Sequence, residues 1–377
     1  MVSPLISRHD SAISHNYIPS LDGVRGIAIC AVLAVHTFAN MFPGSALGAL
    51  GVDLFFVLSG FLITGTLLDS KHSPTYFRDF YAKRILRLFP VAYLYLLVTA
   101  FLFPTLHRML GTSMPDYAGD WWWYLAYVPN LKPGQGAGDP YLWHFWSLAV
   151  EEQFYMFWPF LVLLLPTRWL FRSCLAMVAA SLFFRIYWVG SGESIQLVYR
   201  NTFARVDAMA IGAAVLLVQR QYQKLLPAVR SISIVAAALF LVTLPILGVS
   251  EKSPWMRTGG QTLAGLAFGG LILYATENRY NWLSWRPLRQ MGKYSYCLYV
   301  IHVAVIAHME WVQAFLTRKG VPGMQWVAVL ASMPLCYGIA ALSWSWLEAP
   351  ILKLKSRFQG QRSAEDRVAV SAEPAAG

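Results

Sequence analysis

Two ionisable side chains lie in the first long apolar stretch of the sequence. Arg25 and His36 are eleven residues apart, which is about three turns and about 16 Å along an α-helix, so both project from one face. Ionisable groups inside a membrane span are costly and are functional candidates by default. An imidazole with an ordinary pKa of about 6.5 is a plausible general base. Taken alone, a hydrogen-bonded packing histidine is the simpler interpretation of His36.

Carboxylates open two further apolar stretches. Asp53 enters at a depth close to that of His36, where it could fix the tautomer of the imidazole and stabilise its cation. The alternative for Asp53 is a favourable charge at a helix N-terminus. Adjacent helical residues point about 100° apart, so at most one of Glu151 and Glu152 faces a common site. We expect the other to pair with an arginine such as Arg205. Asp53, Glu151 and Glu152 are therefore candidate catalytic residues beside His36.

Arg84 and Arg87 lie in a segment expected to be a cytoplasmic loop before the third span. A spacing of three places both guanidinium groups on one helical face. Arginine pairs suit phosphate groups, so the phosphates of coenzyme A or of a nucleotide are natural ligands. The alternative is ordinary positive charge flanking a membrane span.

Further polar and aromatic residues are candidates for a substrate cavity. They are Ser59, Trp146, Ser147, Tyr155, Arg205, Asp207, Tyr299 and His302. Tyr299 and His302 share a helical face and could instead hydrogen-bond between helices. Ser59 and Gly60 could also serve close helix packing, and for Arg205 and Asp207 we favour ion pairing that locks helices together.

Composition indicates the class of protein that holds these residues. The chain has 377 residues, of which 57% are hydrophobic and 13% charged, whereas soluble domains carry about 25% charged residues. A large soluble enzyme is therefore disfavoured. The net charge of +11 does not indicate nucleic-acid binding, because the basic residues lie between apolar spans. The four cysteines lie in apolar stretches and form no CxxC motif, so neither a disulfide framework nor a metal site is expected.

Ten stretches are long and apolar enough to cross a membrane, for which about 20 residues are needed. They are residues 23–41, 51–69, 88–106, 144–165, 174–190, 204–219, 231–249, 260–276, 293–311 and 325–347. The apolar segment 121–131 is short and fits a re-entrant or interfacial helix, with its three tryptophans at headgroup depth. The predicted fold is an all-α, polytopic membrane helix bundle of about ten transmembrane helices plus this short helix.

The distribution of basic residues predicts orientation. With ten spans, 20 Lys and Arg lie on the side of the two termini and 8 on the opposite side, which places both termini in the cytoplasm. The expected organisation is a cytoplasmic tail, 1–20, a transmembrane domain, 21–350, and a basic cytoplasmic tail, 351–377, that is disordered from Gln359 onward. Arg84 and Arg87 then face the cytoplasm, and His36 and the carboxylates lie in the outer half.

Taken together, these motifs resemble the acyltransferase-3 family of bacterial membrane acyltransferases, which contains O-acetylases of O-antigen and exopolysaccharide. The sequences GVDLFFVLSGFLIT and SLAVEEQFY and the Arg25–His36 spacing are specific when found together in this order. The matching stretches are residues 20–36, 51–64, 80–90, 145–159, 205–212, 291–302 and 345–350.

The resemblance implies acyl-CoA as a co-substrate with no permanently bound cofactor, and a hydroxyl as the acceptor. It implies essential roles for Arg25, His36, Arg84 and Arg87, and a location in the bacterial cytoplasmic membrane. Ala349 stands where the family often has arginine. The chain shows no C-terminal hydrolase-like domain of the kind that some members carry, so a second acyl-transfer site is not expected.

The resulting hypothesis is direct O-acyl transfer. 

In the transfer reaction, His36 removes the proton of the acceptor hydroxyl as its oxygen attacks the thioester carbonyl, and Asp53, Glu151 or Glu152 orients the imidazole. The rival class is a transporter or flippase of a carbohydrate-like or anionic solute, which buried charges would also suit. Transporters usually show repeat symmetry, and none is detected in this sequence. A polysaccharide, a lipid-linked sugar, peptidoglycan and a glycosylated antibiotic all stay open as the acceptor.

Overall fold

The computed structural model describes residues 17–38, 47–109, 120–132, 141–248, 252–278, 280–321 and 326–358. This part of the chain forms fourteen α-helices and no β-strand. In chain order they are α1 (Pro19–Phe38), α2 (Leu50–Asp69), α3 (Tyr76–Leu97), α4 (Phe103–Met109), α5 (Trp121–Leu125), α6 (Phe145–Leu164), α7 (Thr167–Gly190), α8 (Ile195–Arg200), α9 (Thr202–Gln221), α10 (Leu226–Leu247), α11 (Gln261–Glu277), α12 (Arg286–Arg318), α13 (Val327–Ser343) and α14 (Ala349–Leu352).

Each of the ten predicted spans falls on a long helix, so the predicted all-α membrane bundle is confirmed. Eight helical segments of the described chain are long and apolar enough to cross a membrane. The other two predicted spans correspond to α6, which has 20 residues but carries Glu151 and Glu152, and to α11, which has 17. Helix α12 has 33 residues, or about 50 Å at the usual helical rise, and so extends beyond the apolar core of a bilayer.

Helices α2 and α9 run in the same direction and pack closely. Arg205 donates to Asp53 at 2.9 Å near one end of this pair, and Arg220 donates to Asp69 at 2.5 Å near the other. These helices hold the second and the sixth predicted spans. Parallel packing is the direction expected when every intervening span crosses the bilayer once.

Two glycines bring the backbones of α2 and α9 into contact. A Cβ atom added at Gly60 would overlap the carbonyl oxygen of Met209, and one added at Gly212 would overlap that of Val57. Small residues allow such close approach between membrane helices. Gly60 therefore has the packing role that the sequence suggested.

Two fully buried arginines join neighbouring helices through ion pairs. Arg205 of α9 pairs with Asp53 of α2 at 2.9 Å, and Arg185 of α7 pairs with Asp207 of α9 at 2.7 Å. Residues two apart on a helix do not face each other, so Arg205 and Asp207 take partners on different helices. The pairs connect α2, α7 and α9.

The short apolar segment 121–131 forms α5 and a single 3-10 turn (Pro129–Leu131). Gln153 of α6 holds it by donating to the carbonyl oxygen of Tyr127 at 3.0 Å and to the side-chain oxygen of Asn130 at 2.9 Å. The predicted short helix is therefore present, and it is fastened to the bundle.

Helical structure continues past the last predicted span. A π-helical turn (Trp344–Glu348) leads from α13 into α14 and then into a 3-10 segment (Lys353–Phe358) that packs against α3. The first basic residues of the predicted tail therefore lie beside α3. The disorder expected from Gln359 onward, and most of the predicted N-terminal tail, lie outside the described residues.

Candidate active site

A cavity of about 280 Å³ lies between α1, α2, α3, α6 and α12. Its wall combines charged, hydroxyl and aromatic side chains. Eight residues that the sequence singled out line it: Arg25, Ser59, Arg84, Arg87, Ser147, Glu151, Tyr155 and Tyr299. Since these residues come from five helices that are distant in sequence, the fold brings more than half of the predicted site together.

Arginines form one part of the cavity wall. Arg84 and Arg87 lie within α3, which begins at Tyr76, so the expectation that they lie in a loop is wrong. The apolar pattern identifies only the part of this helix that could cross the hydrocarbon core of a bilayer, and the helix begins well before that part. Arg25 pairs with Asp22 at 2.6 Å. Neither Arg84 nor Arg87 has an acidic group within ion-pair distance in the described part of the chain.

Glu151 is the centre of a hydrogen-bonded group on the same wall. It accepts hydrogen bonds from the hydroxyl groups of Ser59 and Tyr155. The guanidinium carbon of Arg84 lies 5.1 Å from the centre of the Tyr155 ring, a distance suited to a cation–π contact. Glu151 therefore links the arginines to the hydroxyl groups deeper in the cavity.

Glu152 points away from this cavity. One of its carboxylate oxygens is buried and has no hydrogen-bond partner among the described residues. The expected arginine partner, Arg205, is occupied by Asp53. That part of the prediction is wrong, whereas the expectation that only one of the two adjacent glutamates faces the cavity agrees with the structure.

His36 lies beside the cavity rather than on its wall. Its Nδ1 atom is 2.8 Å from the carbonyl oxygen of Val32 and 3.3 Å from Nε2 of His302. The ring of Trp143 packs against it, with 5.3 Å between ring centres. Tyr299 lines the cavity and contacts His302, so Tyr299 and His302 together separate the cavity from His36.

Asp53 does not orient His36 in this structure. Its carboxylate is buried and pairs with Arg205, and the hydrogen-bond partners of His36 within the described chain are Val32 and His302. A similar depth on two neighbouring helices does not determine which way two side chains point. The buried charge of Arg205 requires a partner, and Asp53 supplies it.

The remaining predicted residues do not line the cavity. They are His36, Asp53, Trp146, Glu152, Arg205, Asp207 and His302. Trp146 packs against the Arg205 guanidinium at 5.5 Å, so it belongs with the buried ion pair of α2 and α9.

Two residues that contact the His36–His302 pair were not among the predicted site residues. His144 is buried, its Nε2 atom lies 2.9 Å from the carbonyl oxygen of Val300, and its ring centre lies 5.2 Å from that of His302. Trp143 covers another side of His36. The available signal was their place directly before the motif that opens α6, where a histidine and a tryptophan follow each other in an otherwise apolar stretch.

The described residues include no group of three or more His, Cys, Asp or Glu side chains placed to hold a metal ion. All four cysteines are free, and three of them are buried. The cavity wall presents arginine, carboxylate and hydroxyl groups, and the imidazoles of His36 and His302 lie beside it.

Comparison with known proteins relates this architecture to a family. A family model described as an acyltransferase domain matches residues 18–346. YrhL of Bacillus subtilis, provisionally named a peptidoglycan O-acetyltransferase, is 34% identical over 94% of this chain and 57% of its own length. OatA of Listeria monocytogenes, named a peptidoglycan O-acetyltransferase, is 31% identical over 90% of this chain and 56% of its own. OatA of Staphylococcus aureus, named an O-acetyltransferase, is 28% identical over 92% and 59%.

The chain spans a little over half the length of these relatives. No solved structure matches it. The matched region contains every residue that lines the cavity, together with His36 and His302. The chain therefore belongs to the acyltransferase-3 family.

Proposed function

We propose that the chain is a membrane O-acyltransferase that moves a short acyl group, acetyl in the first instance, from acyl-CoA to a hydroxyl of a carbohydrate or glycoconjugate. The observation that carries this proposal is the cavity with Arg25, Arg84 and Arg87 on its wall. Two of these arginines, Arg84 and Arg87, have no acidic group within ion-pair distance among the described residues, and such a wall suits a polyanionic donor.

The phosphates of coenzyme A would occupy the arginine part of the wall. Guanidinium groups bind phosphate through two parallel hydrogen bonds. Lys355, in the 3-10 segment beside α3, lies within electrostatic range of Arg87, Arg84 and Arg25, and a phosphate bound at these arginines would favour its protonated form. The pantetheine arm would then extend along the cavity towards Tyr299.

The acceptor hydroxyl would meet the thioester at His36. His36 is partly exposed, and it lies on the far side of Tyr299 and His302 from the cavity. The reaction therefore requires that Tyr299 turn aside, or that the thioester pass it, to reach the imidazole. Proton removal by a positioned base contributes about 10²- to 10⁴-fold in rate.

The orientation follows from the charge bias of the sequence. With both termini in the cytoplasm, the arginine part of the cavity opens to the cytoplasmic supply of acyl-CoA, and His36 lies towards the outer face of a bacterial cytoplasmic membrane. The names of the relatives favour a cell-wall glycan as the acceptor.

Release of thiol by the purified full chain tests the proposal. We expect chain reconstituted in lipid nanodiscs to release coenzyme A from acetyl-CoA when soluble peptidoglycan fragments are added, and to label the fragments when the acetyl group is radioactive. His36→Ala should lower the rate by about 10²- to 10⁴-fold without lowering the unfolding temperature. Solute uptake into vesicles without thiol release would instead establish the transporter alternative.

A further inference from the structure

The tautomer of His302 follows from its surroundings. His302 is fully buried, and its Nδ1 atom lies 2.7 Å from the carbonyl oxygen of Tyr299. A carbonyl oxygen only accepts hydrogen bonds, so Nδ1 of His302 carries the hydrogen. In a neutral imidazole the other nitrogen then holds a lone pair. That nitrogen, Nε2, faces Nδ1 of His36 at 3.3 Å.

The tautomer of His36 follows in the same way. Its Nδ1 atom lies 2.8 Å from the carbonyl oxygen of Val32, one turn earlier on α1. Nδ1 of His36 therefore donates, and the hydrogen is shared between the carbonyl oxygen of Val32 and Nε2 of His302. Both acceptors favour the same tautomer, which leaves the lone pair of His36 on Nε2.

We propose that His302 is the positioning residue for His36: a neutral imidazole on α12 that accepts the Nδ1 hydrogen and so keeps Nε2 of His36 free to act as the base. The inference rests on the proposed acyl transfer. In hydrolytic triads a carboxylate performs this task. Here Asp53 is held by Arg205 and Glu151 by two hydroxyl groups.

The proposed step is balanced in protons and electrons. Nε2 of His36 takes the proton of the acceptor hydroxyl while the oxygen forms a bond to the thioester carbonyl carbon. The carbon–sulfur bond then breaks, and the thiolate receives the proton from Nε2. Between these events His36 is a cation, and its hydrogen bond to His302 becomes charge-assisted and stronger. His302 thus stabilises the charged intermediate more than the resting enzyme.

The other described groups around His36 and His302 do not accept the Nδ1 hydrogen of His36. His144 contacts His302 and its Nε2 atom donates to the carbonyl oxygen of Val300, but its Nδ1 atom has no hydrogen-bond partner among the described residues, so it does not accept from His36. The Tyr299 hydroxyl is bonded to Ser147 and to the carbonyl oxygen of His144. Arg200 lies over the ring of Trp143, 5.6 Å from its centre, and as a cation it has no lone pair to offer the Nδ1 hydrogen of His36.

Substitutions at His302 test the role through thiol release by the full chain in nanodiscs. His302→Gln retains an acceptor in the amide oxygen, and His302→Phe keeps a ring without one. We expect His302→Phe to lower kcat by about 10- to 100-fold, the range of one hydrogen bond to a charged group, with KM for acetyl-CoA unchanged. His302→Gln should stay within about fivefold of the parent chain. His302→Leu repeats the test if the Phe variant unfolds.

His308→Leu is the matched control, because His308 lies on the same helix and packs on Tyr141 and Phe103 instead of His36. It should match the parent chain. The inference is overturned if His302→Phe or His302→Leu has the kcat of the parent chain. It is also overturned if His302→Gln folds normally but has a kcat as low as that of the Phe and Leu variants. If the parent chain releases no thiol, the proposed function is overturned and the inference with it. If the parent chain and His302→Phe are both active and His36→Ala is inactive, the inference alone is overturned.

Discussion

Asp53 shows which properties of a single side chain can be predicted from a sequence and which cannot. Its type and its place at the start of α2 marked it as a buried acid, and it is buried. Its partner depends on the rotation of α2 against α9, which no residue spacing gives. Arg205 forms the ion pair with Asp53, and His36 is hydrogen-bonded to the carbonyl oxygen of Val32 and to His302.

This assignment predicts that Asp53 acts on stability more than on chemistry. Asp53→Asn leaves the buried charge of Arg205 unpaired, a change that costs about 3–5 kcal/mol in buried pairs. We expect a marked fall in the unfolding temperature of the purified chain. The double variant Asp53→Asn with Arg205→Met removes both charges and should recover most of the loss.

Thiol release by the double variant distinguishes a structural from a catalytic role of Asp53. Activity close to that of the parent chain agrees with a structural Asp53. An inactive double variant with a restored unfolding temperature would return Asp53 to the catalytic group.

At the scale of the helices, apolar length predicted where each span lies but not where each helix begins. Helix α3 starts 12 residues before the apolar stretch that begins at residue 88, because peptide hydrogen bonds continue a helix in water as well as in lipid. The same limit concealed the 3-10 segment of residues 353–358. The helical spacing of Arg84 and Arg87 was nevertheless sufficient to place both on one face.

The position of Arg84 on the cavity-facing side of α3 predicts that its replacement weakens binding of the acyl donor. Arg84→Ala should raise KM for acetyl-CoA about tenfold, because one charged hydrogen-bonding group to phosphate is lost. Arg84→Lys should recover only part of the loss, since an ammonium cannot form the paired hydrogen bonds of a guanidinium. Arg78→Ala is the control on the same helix, because Arg78 is exposed and pairs with Asp79. Equal KM values for the Arg84 and Arg78 variants would contradict the assignment.

The contact between α2 and α9 predicts a stability defect at a glycine. Gly212→Ala places a methyl group against the carbonyl oxygen of Val57, and overpacking of this kind costs about 1–3 kcal/mol. The unfolding temperature should fall. Gly338→Ala on α13 is the matched control: the added Cβ meets no atom within 4 Å, and alanine is the better helix former, so this variant should be at least as stable as the parent chain.

For the whole molecule, the sequence predicted an even number of crossings, and the directions of packed helices are consistent with it. The parallel packing of α2 and α9 agrees with the three predicted spans that lie between them. Hydropathy alone identifies eight spans, because α6 carries the carboxylates Glu151 and Glu152 and α11 is short. The sequence-based count of ten adds α6 and α11 to these eight on length and charge bias, and it stays a prediction.

Accessibility of introduced cysteines tests the orientation. Glu193 follows α7 and Lys224 follows α9, and both are exposed. If the termini are cytoplasmic, a membrane-impermeant maleimide added to intact cells should label Glu193→Cys, whereas Lys224→Cys should be labelled only after the membrane is opened. The reverse pattern would place the arginines of the cavity outside the cell and remove their access to acyl-CoA.

The glycine contact between α2 and α9 also limits how the enzyme can move. Because carbonyl oxygens occupy the space where side chains would otherwise stand, sliding or rolling of the two helices would separate closely packed backbones, and we expect them to move as one body. Ser59 is part of that body. For the proposed transfer we therefore expect a substrate to pass by movement of side chains on the facing walls, with Tyr299 as the gate, and not by rocking of helix bundles.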